Sequence, residues 1–282
     1  MVQADRFREP SSPQAQEISM RILLTILVGC ELALMSPAAQ AQERPSEAPQ
    51  GVVAIGPGTV PEYDGSGELR LIPFAVANVE WRGTQFQFQG LRARADLASD
   101  TRFSFGPVIG GRLSRDGADG QIALLPELDT AVEAGAFAGY RFGGDRSGQG
   151  ALRTEITLMH DVSDVHDGLL ATASASYAAI NNPVFQLSFD MQTSWADENY
   201  LQTYFGVDGA ASAMSGLSEF SASSGIKDVG IGMTAGYWLD DQIGLIVRAG
   251  TNYLVGDAAD SPITEEGDRW QPMIGTAIAY RF

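Results

Sequence analysis

The sequence predicts an all-β fold, a transmembrane up-and-down antiparallel β-barrel of about twelve strands. Three observations predict it. Apolar residues recur at alternate positions over segments of about ten residues, divided by turns rich in Gly, Asp, Asn or Pro. Nothing downstream of residue 41 is long and apolar enough to span a bilayer as a helix, so membrane integration must be by strands. Finally, residues 270–282 (WQPMIGTAIAYRF) place Trp270, Pro272, Ile274, Thr276, Ile278, Tyr280 and Phe282 on one face. Gln271, Met273, Gly275, Ala277, Ala279 and Arg281 fall on the other. Large apolar side chains outside, small or polar ones inside and aromatics at both ends describe a strand between hydrocarbon and a lumen. Ending on Phe282, it reads as the closing strand of an outer-membrane barrel.

Composition bounds the function. The chain has 282 residues and a formal net charge of −17, so a polyanion would be repelled and nucleic acid is excluded as a partner. A hydrophobic content of 44% suits a barrel whose apolar residues are spread over alternate positions, and 32 glycines suit strands that curve and pack closely. The single cysteine, Cys30, falls in a segment expected to be removed, which fits an oxidising compartment without a disulfide framework.

Taken in order, the chain opens with an export signal. Arg21, a mostly apolar run over 22–35 and the small residues Ala39 and Ala41 describe a signal peptide cleaved after Ala41. Residues 1–19 are an extended polar n-region or precede a true start at Met20. Leu27-Val28-Gly29-Cys30 also has the look of a lipoprotein box, although the segment after Cys30 is still apolar. Residues 42–50 (QERPSEAPQ) form a polar periplasmic lead-in, and 51–282 form the barrel.

Strands are expected near 51–60, 68–81, 84–96, 101–113, 130–142, 150–161, 169–180, 183–195, 199–207, 226–238, 242–254 and 270–282. In 183–195, Phe185, Leu187, Phe189, Met191, Thr193 and Trp195 oppose Gln186, Ser188, Asp190, Gln192 and Ser194. In 130–142, Val132, Ala134, Ala136, Ala138, Tyr140 and Phe142 oppose Glu133, Gly135, Phe137, Gly139 and Arg141. With both termini in the periplasm, connections near 61–67, 97–100, 143–149, 208–225 and 255–269 face outward. Those near 82–83, 162–168, 196–198 and 239–241 face the periplasm. One breaks the rule of short periplasmic turns: 114–129 (SRDGADGQIALLPELD) is long and falls on the periplasmic side.

Ordered motifs then accumulate: Pro61-Glu62-Tyr63-Asp64-Gly65-Ser66, Trp195-Ala196-Asp197-Glu198-Asn199-Tyr200, Gln202-Thr203-Tyr204-Phe205-Gly206-Val207, Gly225-Ile226-Lys227-Asp228-Val229-Gly230, 256–262 (GDAADSP) and the terminal Tyr280-Arg281-Phe282. Together they resemble the MipA/OmpV family of outer-membrane proteins, the MltA-interacting protein group. The resemblance implies a barrel in the outer membrane of a Gram-negative cell, with no cofactor and no known catalytic activity. It implies a scaffold joining a lytic transglycosylase to a penicillin-binding murein synthase, or alternatively a porin-like channel or surface adhesin. Outer-membrane lipid, lipopolysaccharide and the barrel assembly machinery are the further expected partners.

Candidate chemistry is sparse. His160 and His166 flank an acidic turn without metal-ligand spacing, His160 continuing the outward face of its strand. Serines are plentiful, but no Gly-x-Ser-x-Gly elbow occurs, so no catalytic, cofactor or metal residue is assigned. Inward positions carry both signs of charge in Arg70, Glu80, Arg141, Arg153, Glu155, Asp190, Arg248 and Arg281. They form a paired network that plugs the lumen or line a wetted channel, and the sequence leaves both open. Tyr280 and Phe282 are the expected assembly signal. Ile122, Leu124 and Leu125, rimmed by acidic residues, are expected as a periplasmic interaction patch or as a plug folded into the barrel mouth.

Overall fold

The computed structural model describes residues 48–282 except 101 and 117. The expected signal peptide and most of the lead-in therefore lie outside the described residues. Twelve antiparallel strands close into one barrel: β1 (Gln50–Pro61), β2 (Leu69–Trp81), β3 (Thr84–Gln89), β4 (Arg92–Asp96), β5 (Phe103–Arg112), β6 (Ala131–Gly143), β7 (Ala151–Asp161), β8 (Leu169–Asn181), β9 (Phe185–Ala196), β10 (Gly225–Trp238), β11 (Ile243–Leu254) and β12 (Trp270–Arg281). Each pairs with its neighbours in sequence, and β1 pairs with β12 to close the seam. At the end of that seam Gly51 N donates to Phe282 O at 3.1 Å and Phe282 N donates back to Gly51 O at 3.0 Å. No helix of the described residues is long and apolar enough to cross a membrane.

Period two decides which side chains face out. Along β12, Trp270, Pro272, Ile274, Thr276, Ile278 and Tyr280 are exposed while Gln271, Gly275, Ala277 and Ala279 are buried, as the alternation predicts. The outward face elsewhere carries Ile55, Leu71, Phe105, Ile109, Ile156, Leu158, Met191 and Ile231, all exposed. A water-soluble barrel would not leave this much apolar surface uncovered; a bilayer covers it. Inside, small residues make room for large ones: a Cβ on Gly275 would come within 2.6 Å of the Phe74 ring.

The strand total agrees with expectation through two differences that cancel. The strand expected over 84–96 is a hairpin, because Gly90 takes φ +60° and turns the chain between β3 and β4. A two-residue loop with glycine first is a turn whose twist matches paired strands. The strand expected over 199–207 is instead a helix, α1 (Glu198–Phe205). Asp197 caps it, accepting from Tyr200 N at 3.0 Å. Its buried residues, Tyr200, Leu201, Tyr204 and Phe205, recur with helical and not strand period.

These two differences reverse every strand between them. Connections 97–102 and 144–150 therefore lie at the end that holds the termini, with 82–83, 182–184 and 239–242. Connections 113–130, 162–168 and 197–224 lie at the opposite end, with 62–68 and 255–269. The expectation that 114–129 shares the side of the termini is thereby corrected. So is its irregularity, since the long connections now gather at one end and short turns at the other, the usual asymmetry of such barrels.

Candidate functional site

The long connections pack on one another and on the inward strand ends as a cap over one mouth. Besides α1 they carry three short α-helices, α2 (Gly209–Ser215), α3 (Gly256–Asp260) and α4 (Pro262–Glu266), and a 3-10 turn over Ile122–Leu124. Tyr200, Leu201, Tyr204 and Phe205 of α1 pack against Leu170, Ala196 and Leu254 from β8, β9 and β11 and against Ala258 and Ala259 of α3. A second apolar cluster joins Ile122 and Leu125 to Val207, Ala211, Leu217 and Ile263. Ile122, Leu124 and Leu125 are thus no free patch: Ile122 and Leu125 are buried in the cap and only Leu124 is exposed. An apolar run that finds an apolar neighbour leaves water, and here the neighbours come from α2 and α4. Ser261 Oγ fastens α4 to α1 by donating to Phe205 O at 2.6 Å.

Beneath the cap lies a buried charged network. Arg112 Nε donates to Glu133 Oε1 at 2.9 Å, and Arg112 Nη1 donates to Asp64 Oδ2 at 3.2 Å. Tyr200 Oη donates to the same Asp64 oxygen at 2.7 Å, and Lys227 Nζ lies 3.3 Å from it and 2.7 Å from Asp228 Oδ2. Arg112 also stacks over the Tyr200 ring, 4.8 Å from its centroid. A β-bulge explains how Lys227 and Asp228 both reach the interior. Ile226 pairs with Trp195 and Asp228 with Ser194, so the extra residue Lys227 breaks the alternation that would send one charge to lipid.

His166 completes the network. Its Nδ1 accepts from Gly168 N at 3.1 Å, so the proton is assigned to Nε2, which lies 3.3 Å from Glu133 Oε1. The turn that carries it is organised by Asp161, whose side chain accepts from the backbone N–H of Ser163, Val165, His166 and Asp167. Burial pushes the Asp64 carboxyl up, but Lys227 and Arg112 overcome it and hold the group well below the usual carboxylate range. Burial pushes the Tyr200 and Tyr204 phenols up, which keeps Tyr200 a donor at neutral pH. The arrangement ties β5, β10 and α1 to one side chain of the 62–68 connection, Asp64, and brings in β6 through Arg112 and Glu133. Ser163 Oγ donates to Asp161 Oδ1 at 2.6 Å and so belongs to the same turn as His166.

The expected lumen charges divide into pairs and free groups. Arg248 reaches across β10 to grip Asp190 with two bonds of 3.1 and 3.0 Å. Gly232 permits this, since a Cβ there would meet Asp190 Oδ2 at 2.4 Å. Glu155 pairs with Arg94, and Arg281 stacks 3.7 Å from the Trp238 ring centroid. Arg70, at the cap end, donates to Ser114 O at 3.3 Å and lies 3.6 Å from Asp116. Glu80 is exposed near the end that holds the termini. Arg141 and Arg153 face each other across β6 and β7. Tyr280 and Phe282 stand outside at the seam, their rings stacked with centroids 6.3 Å apart. His160 is exposed on the outward face, where its alternation places it.

Sequence reasoning did not single out the network as a site. Yet four of the motifs that carried the family resemblance supply its members or their packing: 61–66 gives Asp64, 195–200 gives Tyr200, 202–207 gives Tyr204 and 225–230 gives Lys227 and Asp228.

A family model described as MltA-interacting protein MipA matches residues 53–282. Among solved structures the chain is similar to the COG4313 outer membrane channel from Pseudomonas putida F1, with 11% identity, 88% of this chain and 100% of that one covered, and a TM-score of 0.42. It is also similar to a bacterial polysaccharide outer membrane secretin, with 11% identity, 85% and 100% covered and a TM-score of 0.36. OmpT, an outer membrane protein of Vibrio cholerae, is similar at 8% identity, 83% and 97% covered and a TM-score of 0.32. No curated protein matches significantly.

Proposed function

The chain belongs to the MltA-interacting protein MipA family, and from that premise we propose that it is an exported, non-enzymatic envelope scaffold of the outer membrane. In this reading its termini and short turns face the periplasm, and it joins a murein hydrolase of the lytic transglycosylase class to a penicillin-binding murein synthase. The observation that carries the reading is the cap. A channel must be wet from one mouth to the other, whereas here one mouth is filled by Tyr200, Leu201, Phe205 and Leu254 above a buried charged network. The free surface on the termini side is a rim of short turns, on which Val184 and Leu239 stand exposed. That rim replaces 114–129 as the docking surface.

Crosslinking and pull-down from envelopes tests it. The wild-type chain is expected to capture both a transglycosylase and a synthase. Val184→Asp with Leu239→Asp should reduce capture several-fold while heat-modifiability of the barrel on gels stays normal. Leu124→Ser should leave capture unchanged. Loss of capture with Leu124→Ser and none with the rim pair would contradict the assignment.

A further inference from the structure

Three arginines stand together at the barrel mouth on the termini side. Arg141 and Arg153 are directly opposed in the β6–β7 register, and both face the lumen by the alternation of their strands. Arg146 joins them from the 144–150 turn, and the three line a cavity of about 310 Å³ with Ser147, Ser176 and Asn181. Like charges placed directly opposite on adjacent strands repel, and the usual remedy is a carboxylate between them. Among the described residues no carboxylate forms an ion pair with any of the three. The neighbouring Glu155 is engaged by Arg94 and Asp190 by Arg248. Asp96, within electrostatic reach of Arg153, accepts from Ala98 N at 3.0 Å and Phe105 N at 3.2 Å, and Arg141 Nε finds only Gly143 O at 3.5 Å.

The one acid of the turn is also occupied. Asp145 accepts from Ser147 N at 2.8 Å, Ser147 Oγ at 2.6 Å and Gln149 N at 3.0 Å, which shapes the turn instead of neutralising an arginine. The turn is pinned to β8 as well, since Asn181 Nδ2 donates to Ser147 O and Asn181 N donates to Gln149 Oε1. The turn that carries Arg146 is therefore held in place before any ligand arrives. The three arginines make a local positive field in a chain whose net charge is −17.

We propose that this mouth is a binding site for a small anion presenting several oxygens, of the phosphate or carboxylate class, gripped between the facing guanidinium groups of Arg141 and Arg153 with Arg146 closing over it. Guanidinium forks match such oxygens two at a time, and hydroxyl and amide donors from Ser176 and Asn181 complete a polar lining. The cavity's strand residues Arg141, Arg153 and Ser176 are on the lumen face and not the lipid face, which favours a free solute over a lipid headgroup.

The test uses the purified full-length barrel in detergent, prepared without phosphate, with inorganic phosphate as the probe. Phosphate should raise the unfolding midpoint of the wild type in a saturable way, because a ligand of the folded state stabilises it by mass action. Arg141→Gln with Arg153→Gln should weaken the apparent affinity by about tenfold or more, having lost two charge-assisted contacts. Relief of repulsion should leave that variant folded, and normal heat-modifiability checks it. Arg281→Gln, elsewhere in the lumen, should keep the wild-type response. An equal response of the double variant, or no response of the wild type, would overturn the proposal. So would stabilisation by phosphatidylglycerol vesicles over phosphatidylcholine vesicles without any response to free phosphate.

Discussion

Replacing Arg112 with Ala is expected to loosen the cap. Arg112 holds Glu133, whose side chain is 4% exposed, and Asp64, which also has Lys227 and Tyr200. Removing one partner of a buried pair strands the other, at a cost of about 3–5 kcal/mol. The loss should appear where the network is attached. Arg115 is buried, its guanidinium donating to Tyr204 O at 3.2 Å and Pro126 O at 3.3 Å, so trypsin cannot reach the bond that follows it while the cap is packed. Arg112→Ala should give a new fragment ending at Arg115 and a lower unfolding midpoint. It should also give intermittent conductance in planar bilayers where the wild type is silent. Arg112→Ala with Glu133→Ala should be less destabilised than the sum of the singles, because no orphaned carboxylate remains. Acid should reproduce part of the effect. Asp64 is depressed in the folded state, so its contribution is whole above its ordinary pKa of about 4 and fades as the pH falls below that toward its folded value. Wild-type resistance to trypsin and an unchanged midpoint in Arg112→Ala would show that the network does not hold the cap.

Deleting Phe282 is expected to remove most of the protein from the outer membrane. Phe282 exchanges both backbone hydrogen bonds with Gly51 at the last rung of the seam, and its ring stacks on Tyr280 at the membrane boundary. Without it the seam loses its final rung, and the Gly51 N–H and C=O lose their strand partner at the point where the barrel closes. The expected result is export at the normal level, followed by periplasmic accumulation and degradation. Phe282→Tyr, which keeps the rung and an aromatic ring, should assemble normally. Wild-type outer-membrane levels after the deletion would remove Phe282 from any role in assembly.

Most of the wall was legible in the sequence because its two environments are chemically opposite. Ile278 and Ala279 report lipid and lumen whatever the rest of the chain does, and so do Met191 and Gln192. The two misread segments each carried a local signal that a period-two reading passes over. Gly90 interrupts a run whose alternation continues on either side, so the hairpin reads as one long strand. Asp197 is an N-cap followed by residues whose burial has helical period, but aromatic residues are equally at home in strands. The cap network was illegible for a different reason. Asp64 meets Lys227, a separation of 163 positions, through loop packing that no local pattern encodes, and Arg112 meets Glu133 through the register of β5 on β6, which the long connection between them leaves open. The bulge that lets Lys227 and Asp228 both face inward makes the point most sharply, since strict alternation would send one of them to lipid.

The orientation of the cap is the claim on which the rest depends. Cys30, the chain's one cysteine, lies in the expected signal segment, so a single cysteine can be introduced at either end of the mature barrel. Leu124 is 53% exposed on the cap and Leu239 is 71% exposed on a turn at the termini side. On intact cells a membrane-impermeant maleimide should label Leu124→Cys and spare Leu239→Cys, with both labelled after the envelope is opened. Labelling of Leu239→Cys and not Leu124→Cys on intact cells would place the cap in the periplasm and contradict the account.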